Sequence, residues 1–182
     1  ALGQSFRDFL KGQLPALPGQ SPTLGDWADH LTTIFPEARV KQFIEMRGAD
    51  GGPWRRLCAL PAFWVGLCYD QTTLDAAWDL VKDWDAETRE NLRIAASQNG
   101  LNASVDGINF SELAKEVVAL AHQGLEKRGR KGANGLLANE THFLNALHDT
   151  LASGKSPADE LIDLYNTEWQ QDVSPIFKAM SY

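Results

Sequence analysis

Residues 39 to 47, RVKQFIEMR, alternate in a way that could support chemistry. In an extended chain Arg39, Lys41, Phe43, Glu45 and Arg47 fall on one face, and Val40, Gln42, Ile44 and Met46 on the other. A carboxylate set among cations on a rigid strand is the equipment of phosphoryl transfer. Carboxylates hold a divalent metal, and guanidinium groups neutralise charge on the transferring oxygens. The same pattern also fits an ordinary charged strand face, solvated or laced by cross-strand ion pairs, and spacing leaves both readings open. The next residues, GADGGP, do not sharpen the choice. Gly48, Gly51 and Gly52 make neither G-x-G-x-x-G nor G-x-x-x-x-G-K-[ST], so no dinucleotide or phosphate-cradling loop is encoded. The glycines let the chain reverse before Pro53, which suits the first turn of a helix, and Asp50 can cap that turn. Arg55 and Arg56 read as the exposed start of that helix.

The elements that must position these residues are few. Ser5 and Asp8 predict a short capped helix over 5–11, and Thr23 caps a second that Pro36 stops. The 39–47 segment is the one strand the alternation supports. After Pro53 the periodicity predicts helices near 56–69, 71–83, 86–97, 110–128, 139–153, 157–170 and 173–180. A single half-buried strand needs a partner beyond itself. The chain, which opens at Ala1 without a methionine, is therefore expected to be a fragment.

Other candidate sites are weaker. His30, His122, His142 and His148 lack a second strong ligand at helical spacing, so a histidine metal centre is not predicted. His30 reads as a packed or surface side chain, with a role in orienting a site residue as the alternative. The basic stretch 126–135 reads as a helix ending at Gly129 followed by a mobile loop, rather than a phosphate grip. Trp54, Trp64, Trp78 and Trp84 are read as core. Cys58 and Cys68 are ten apart in one predicted helix, beyond disulfide reach, and are expected to be buried and inert.

Composition excludes some function classes. The 182 residues are 43% hydrophobic and 23% charged, the balance of a globular core. A net charge of −7 supplies no broad cationic field, so neither nucleic acid nor an anionic membrane is an expected partner. No apolar run reaches the ~18 residues of a membrane span. Two unpaired cysteines and no charged-then-apolar leader point to a reducing, cytoplasmic setting.

Three stretches, SFRDFLKGQLP, PTLGDWADHLTTIFPEARVKQFIEMRGADGGPWRRLCALPAFWVGLCYD and EWQQDVSPIFKAMSY, resemble the C-terminal part of glutamate–cysteine ligase of the plant and proteobacterial type. The likeness is densest from Ser5 to Asp70. This family sits in the glutamine-synthetase-like superfamily and makes γ-glutamylcysteine, the first step of glutathione synthesis. The resemblance implies an α+β fold. This chain would supply a mostly helical portion, residues 1–55 forming an active-site strand region and 56–182 a helical region. One or two strands would join an antiparallel sheet carried by an N-terminal portion of the same protein. It implies that Glu45 ligates the Mg²⁺ bridging the phosphates of ATP, and that Arg47 contacts the transferring phosphate or the acyl substrate. Arg39 is next in line as a catalytic cation, and Asp50 matches the aspartate that follows the strand. The expected partners are glutamate, cysteine and ATP. Ala16 stands where plant members carry a cysteine, which argues against plant-style redox control.

The function so implied is ATP-dependent ligation of the glutamate γ-carboxylate to cysteine through a γ-glutamyl phosphate. The alternatives are a sister γ-glutamyl ligase with another amine acceptor, and a non-catalytic helical module whose strand completes a partner's sheet.

Overall fold

The computed structural model describes residues 4–131 and 137–181, and falls into two compact units, residues 1–49 and 50–182.

The first unit begins with two short helices, α1 (Phe6–Leu10) and α2 (Leu24–Thr32). Ser5 caps α1 by accepting the Arg7 N–H, without closing the box with Asp8. Thr23 and Asp26 do close a capping box on α2, each satisfying the other's backbone N–H. Neither helix contains a buried residue. Phe6 ties them together, stacking on His30 at 4.4 Å and lying against Trp27 at 5.3 Å. His30 is therefore a packing residue here.

The predicted strand 39–47 is not continuous. It folds back as a hairpin, β1 (Ala38–Val40) against β2 (Ile44–Met46), antiparallel with Arg39 opposite Glu45 and Val40 opposite Ile44. Residues 41–43 form the reversal, closed by the Lys41 N–H donating to the Phe43 carbonyl at 2.8 Å. A period of two is blind to such a fold. Reversal about Gln42 pairs odd residues with odd and even with even, so both face assignments survive while the single strand becomes two.

In the second unit, α3 (Trp54–Cys68) crosses α6 (Phe110–Arg128) to make the core of Ala62, Leu67, Ala121, Leu125 and Leu144. The crossing is close because it is built on glycine. A Cβ added to Gly66 would lie 2.1 Å from the Ala121 carbonyl oxygen, and one on Gly124 would lie 1.8 Å from that of Gly66. Around this pair stand α4 (Gln71–Val81), α5 (Ala86–Asn99), α7 (Asn145–Ser153), α8 (Pro157–Asn166) and α9 (Ile176–Ala179). The predicted 139–153 helix begins instead as a 3₁₀ turn over Thr141–Leu144.

Two further hairpins were not anticipated. β3 (Ser104–Val105) pairs with β4 (Ile108–Asn109), turning on Asp106 and Gly107, both at positive φ. Val-Asp-Gly-Ile is a strong hairpin signal, so this one was legible in the sequence. β5 (Arg130–Lys131) pairs with β6 (Leu137–Ala138). The predicted basic loop lies largely in residues 132–136, outside the described residues. Helix α6 does end at Arg128, with Gly129 as its C-cap.

The tryptophan expectation holds only in part. Trp54 is 69% exposed and Trp78 61% exposed, while Trp64 packs on the core and Trp84 is half-buried. Both cysteines are free, Cys68 exposed and Cys58 half-buried, so neither is the core thiol expected, although partial burial still pushes the Cys68 thiol pKa up.

Candidate functional site

The hairpin gathers the charged residues that the alternation placed on one face. Because Arg39 and Glu45 are direct register partners, their side chains meet. The Arg39 Nε donates to Glu45 Oε2 at 2.8 Å, and Nη2 lies 2.7 Å from the same oxygen. Lys41 Nζ stands 4.0 Å from it. The Arg39 hydrogen bond holds the Glu45 carboxyl below its ordinary range against some desolvation, with the fields of Arg39, Lys41 and Arg47 adding to the effect. Glu45 thus stays ionised among three cations.

Arg47 extends the ladder, its N–H donating to the Glu37 carbonyl at 2.8 Å. Its guanidinium lies over the ring of Phe35, 5.4 Å from the centroid, and Nη1 is buried without a hydrogen-bond partner. A guanidinium nitrogen desolvated but unpaired is a donor poised for an oxyanion. Sequence reasoning named Arg47 but missed Phe35, for which no spacing rule exists. Asp50 belongs to the second unit, and among the described residues its carboxylate has no hydrogen-bond or ion-pair partner. It does not cap α3, which Pro53 opens without a side-chain cap.

The first turn of α3 is not merely exposed, as expected of Arg55 and Arg56. Arg55 pairs with Asp149 of α7, and Arg56 with Glu160 of α8 at 2.8 Å. These pairs bridge 94 and 104 residues of sequence, so no local pattern announces them. Beside that turn lies a cavity of about 220 Å³ lined by Trp54, Arg55, Cys58, His142 and Phe143. A second of about 230 Å³ is lined by Arg56, Asp149, Glu160 and Met180. His122 and His148, on different helices, meet edge to face with centroids 5.6 Å apart.

The magnesium expectation placed on Glu45 meets a set of described residues that does not by itself make such a site. Mg²⁺ needs near-octahedral oxygen ligands at about 2.0–2.1 Å. Among the described residues no group of three or more His, Cys, Asp or Glu converges to hold a metal ion. The one carboxylate within β1 and β2, that of Glu45, is already engaged by Arg39, with Lys41 beside it. What the hairpin fits better is an anion: Arg39, Lys41 and Arg47 outnumber Glu45 and Glu37, the residue opposite Arg47.

A helix-rich α+β chain that presents clustered cations on a hairpin is consistent with part of a ligase domain. Comparison of sequences carries this further. Residues 7–179 match the family described as glutamate-cysteine ligase family 2 (GCS2), and the chain belongs to that family. It is 51% identical over 181 residues to the chloroplastic glutamate–cysteine ligase of Solanum lycopersicum, covering 99% of this chain and 33% of that protein. The Arabidopsis thaliana chloroplastic enzyme is 50% identical over 181 residues, covering 99% of this chain and 33% of its own. Ligase A of Oryza sativa subsp. indica, also chloroplastic, is 49% identical over 180 residues, covering 99% and 35%. The chain therefore spans about a third of the length of the curated relatives it matches. These relatives overturn the cytoplasmic expectation, since each is named chloroplastic. No helix among the described residues is long and apolar enough to cross a membrane.

Proposed function

We propose that this chain is part of an ATP-dependent glutamate–cysteine ligase and contributes oxyanion-holding arginines to its active site. In this reaction the γ-carboxylate oxygen of glutamate attacks the γ-phosphorus of ATP, releasing ADP and forming a γ-glutamyl phosphate. The cysteine amine then attacks the acyl carbon, loses a proton and expels inorganic phosphate. Both steps gather anions, namely nucleotide phosphates, substrate carboxylate and leaving phosphate. Their mutual repulsion must be offset before bonds change.

The observation that carries this reading is Arg47. Its guanidinium is backed by Phe35 and its buried Nη1 lacks a partner, so a donor is fixed in place before any substrate arrives. Arg39, held by Glu45, supplies a second fixed cation on the same face. Arg47 would take the transferring phosphate or acyl oxygen, and Arg39 a neighbouring oxyanion. Asp50, unpartnered, is the residue assigned to the nucleotide side, a role supported by the family resemblance. Magnesium would enter with the nucleotide and supply Lewis-acid neutralisation of its phosphates. Ligands for it would have to come chiefly from the portion of the ligase that this chain does not span.

Steady-state assay of the full-length ligase tests the reading. Formation of γ-glutamylcysteine with stoichiometric ADP release is expected. Absence of product with cysteine, but product with a different amine, would shift the assignment to a sister γ-glutamyl ligase.

A further inference from the structure

Glu45 does something in this hairpin that a metal ligand would not. Its Oε2 receives the Arg39 Nε at 2.8 Å and faces Nη2 at 2.7 Å, with Lys41 at 4.0 Å. Seating a dication on that oxygen would break a charge-assisted hydrogen bond and put the metal among cations. Among the described residues no group of three or more His, Cys, Asp or Glu is assembled there to offset that repulsion. The geometry instead resembles the way a carboxylate orients a partner that does the binding.

We propose that Glu45 is a positioning residue for Arg39, gripping one edge of its guanidinium so that the Nη1 side faces an incoming oxyanion. Three observations carry it. Arg39 and Glu45 are direct partners in the register, so the backbone itself brings them together. Both side chains are about a third exposed, 34% and 33%, so the pair is shielded on one side and open on the other. The grip uses the Nε edge, while Nη1 has no partner among the described residues; a planar guanidinium fixed at one edge has its remaining donors fixed too. The ligand class is a phosphate or carboxylate oxyanion, from nucleotide or from glutamate. The inference rests on the ligase reading for the identity of those ligands.

A double-mutant cycle in the full-length ligase decides it, using Glu45→Gln, Arg39→Gln and the double variant. Binding of ADP and of glutamate is measured separately by calorimetry in EDTA, and the Mg²⁺ midpoint of activity is measured alongside. Arg39→Gln should weaken one of the two ligands by about tenfold or more, the scale of a hydrogen bond to a charged group. Which ligand weakens identifies the oxyanion. In the Glu45→Gln background the same substitution should cost no more than about twofold, because the orientation is already lost. The Mg²⁺ midpoint should not move in Glu45→Gln.

Additive effects of the two substitutions would overturn the proposal. So would a several-fold rise in the Mg²⁺ midpoint, or a wild-type protein that binds neither ligand without metal. If Glu45→Gln fails to fold in a thermal melt, Arg39→Lys replaces it in the test. Lysine keeps the charge without the fork, and wild-type affinity in that variant would equally sink the idea. A wild-type protein that binds ADP or glutamate but forms no γ-glutamyl product with any amine refutes the ligase reading and leaves the arginine grip standing.

Discussion

At Arg47 a permanently charged, planar fork lies over an aromatic face with one buried nitrogen unsatisfied. Lysine cannot copy that direction. In the full-length ligase Arg47→Lys should lower kcat by about 10²-fold or more, the scale seen on removing one preorganised donor. Its melting temperature should barely change, because the contact with Phe35 is worth only about 0.5–1 kcal/mol at a surface site. Steady-state kinetics beside a thermal melt checks both. Near-normal turnover would return Arg47 to a charged strand face. That plain alternative is in part what the hairpin shows, since Arg39 and Glu45 do form a cross-strand ion pair. The pair and the site are compatible because the grip leaves donors of Arg39 free.

Among the elements, the α3–α6 crossing and the start of α4 make testable claims. Gly66→Ala removes about 1 kcal/mol of helix-propensity penalty. It also drives a methyl to 2.1 Å from the Ala121 carbonyl oxygen, so the helices must separate, at about 1–3 kcal/mol or more. The steric cost wins, and the melting temperature of this chain should fall by several degrees by circular dichroism. Gly51→Ala, with nothing within 4 Å, should leave it unchanged. At α4, Asp70 caps the helix through the Thr73 N–H at 3.0 Å and also engages Thr72 and, from α6, Lys127. The Thr72 hydroxyl, then Lys127, lower its pKa to about 2. A folded value below the unfolded one means that the stabilisation is present above about pH 4. It is lost as pH falls through about 2. Asp70→Asn should therefore melt below wild type at pH 7, and the gap should close between pH 4 and 2. A gap independent of pH would show that the charge contributes nothing.

Across the whole molecule, the first unit exposes apolar side chains on both helices and on the hairpin. Leu24 is 87% exposed, Val40 81% and Ile44 67%. Val40 and Ile44 are register partners on the face opposite the cations, where a sheet would ordinarily bury them. That face fits the proposal that the rest of the ligase completes the site. The isolated 182-residue chain should accordingly release no ADP in a glutamate- and cysteine-dependent way. Such release, measured by a coupled assay, would show that these residues suffice.

The sequence by itself determined the helical series after Pro53, the cap at Thr23, the separation of charged and apolar faces over 39–47, and the family. Each rests on local spacing or on a long run of specific residues, which a linear chain displays directly. It did not determine that 39–47 is a hairpin, because a reversal about Gln42 preserves the alternation. Nor did it show that Arg39 grips Glu45, that Phe35 backs Arg47, or that Arg55 and Arg56 reach Asp149 and Glu160. Those contacts depend on which backbone segments are brought side by side. The tertiary structure alone decides that, because the energy of an ion pair depends on distance in space and not on separation along the chain.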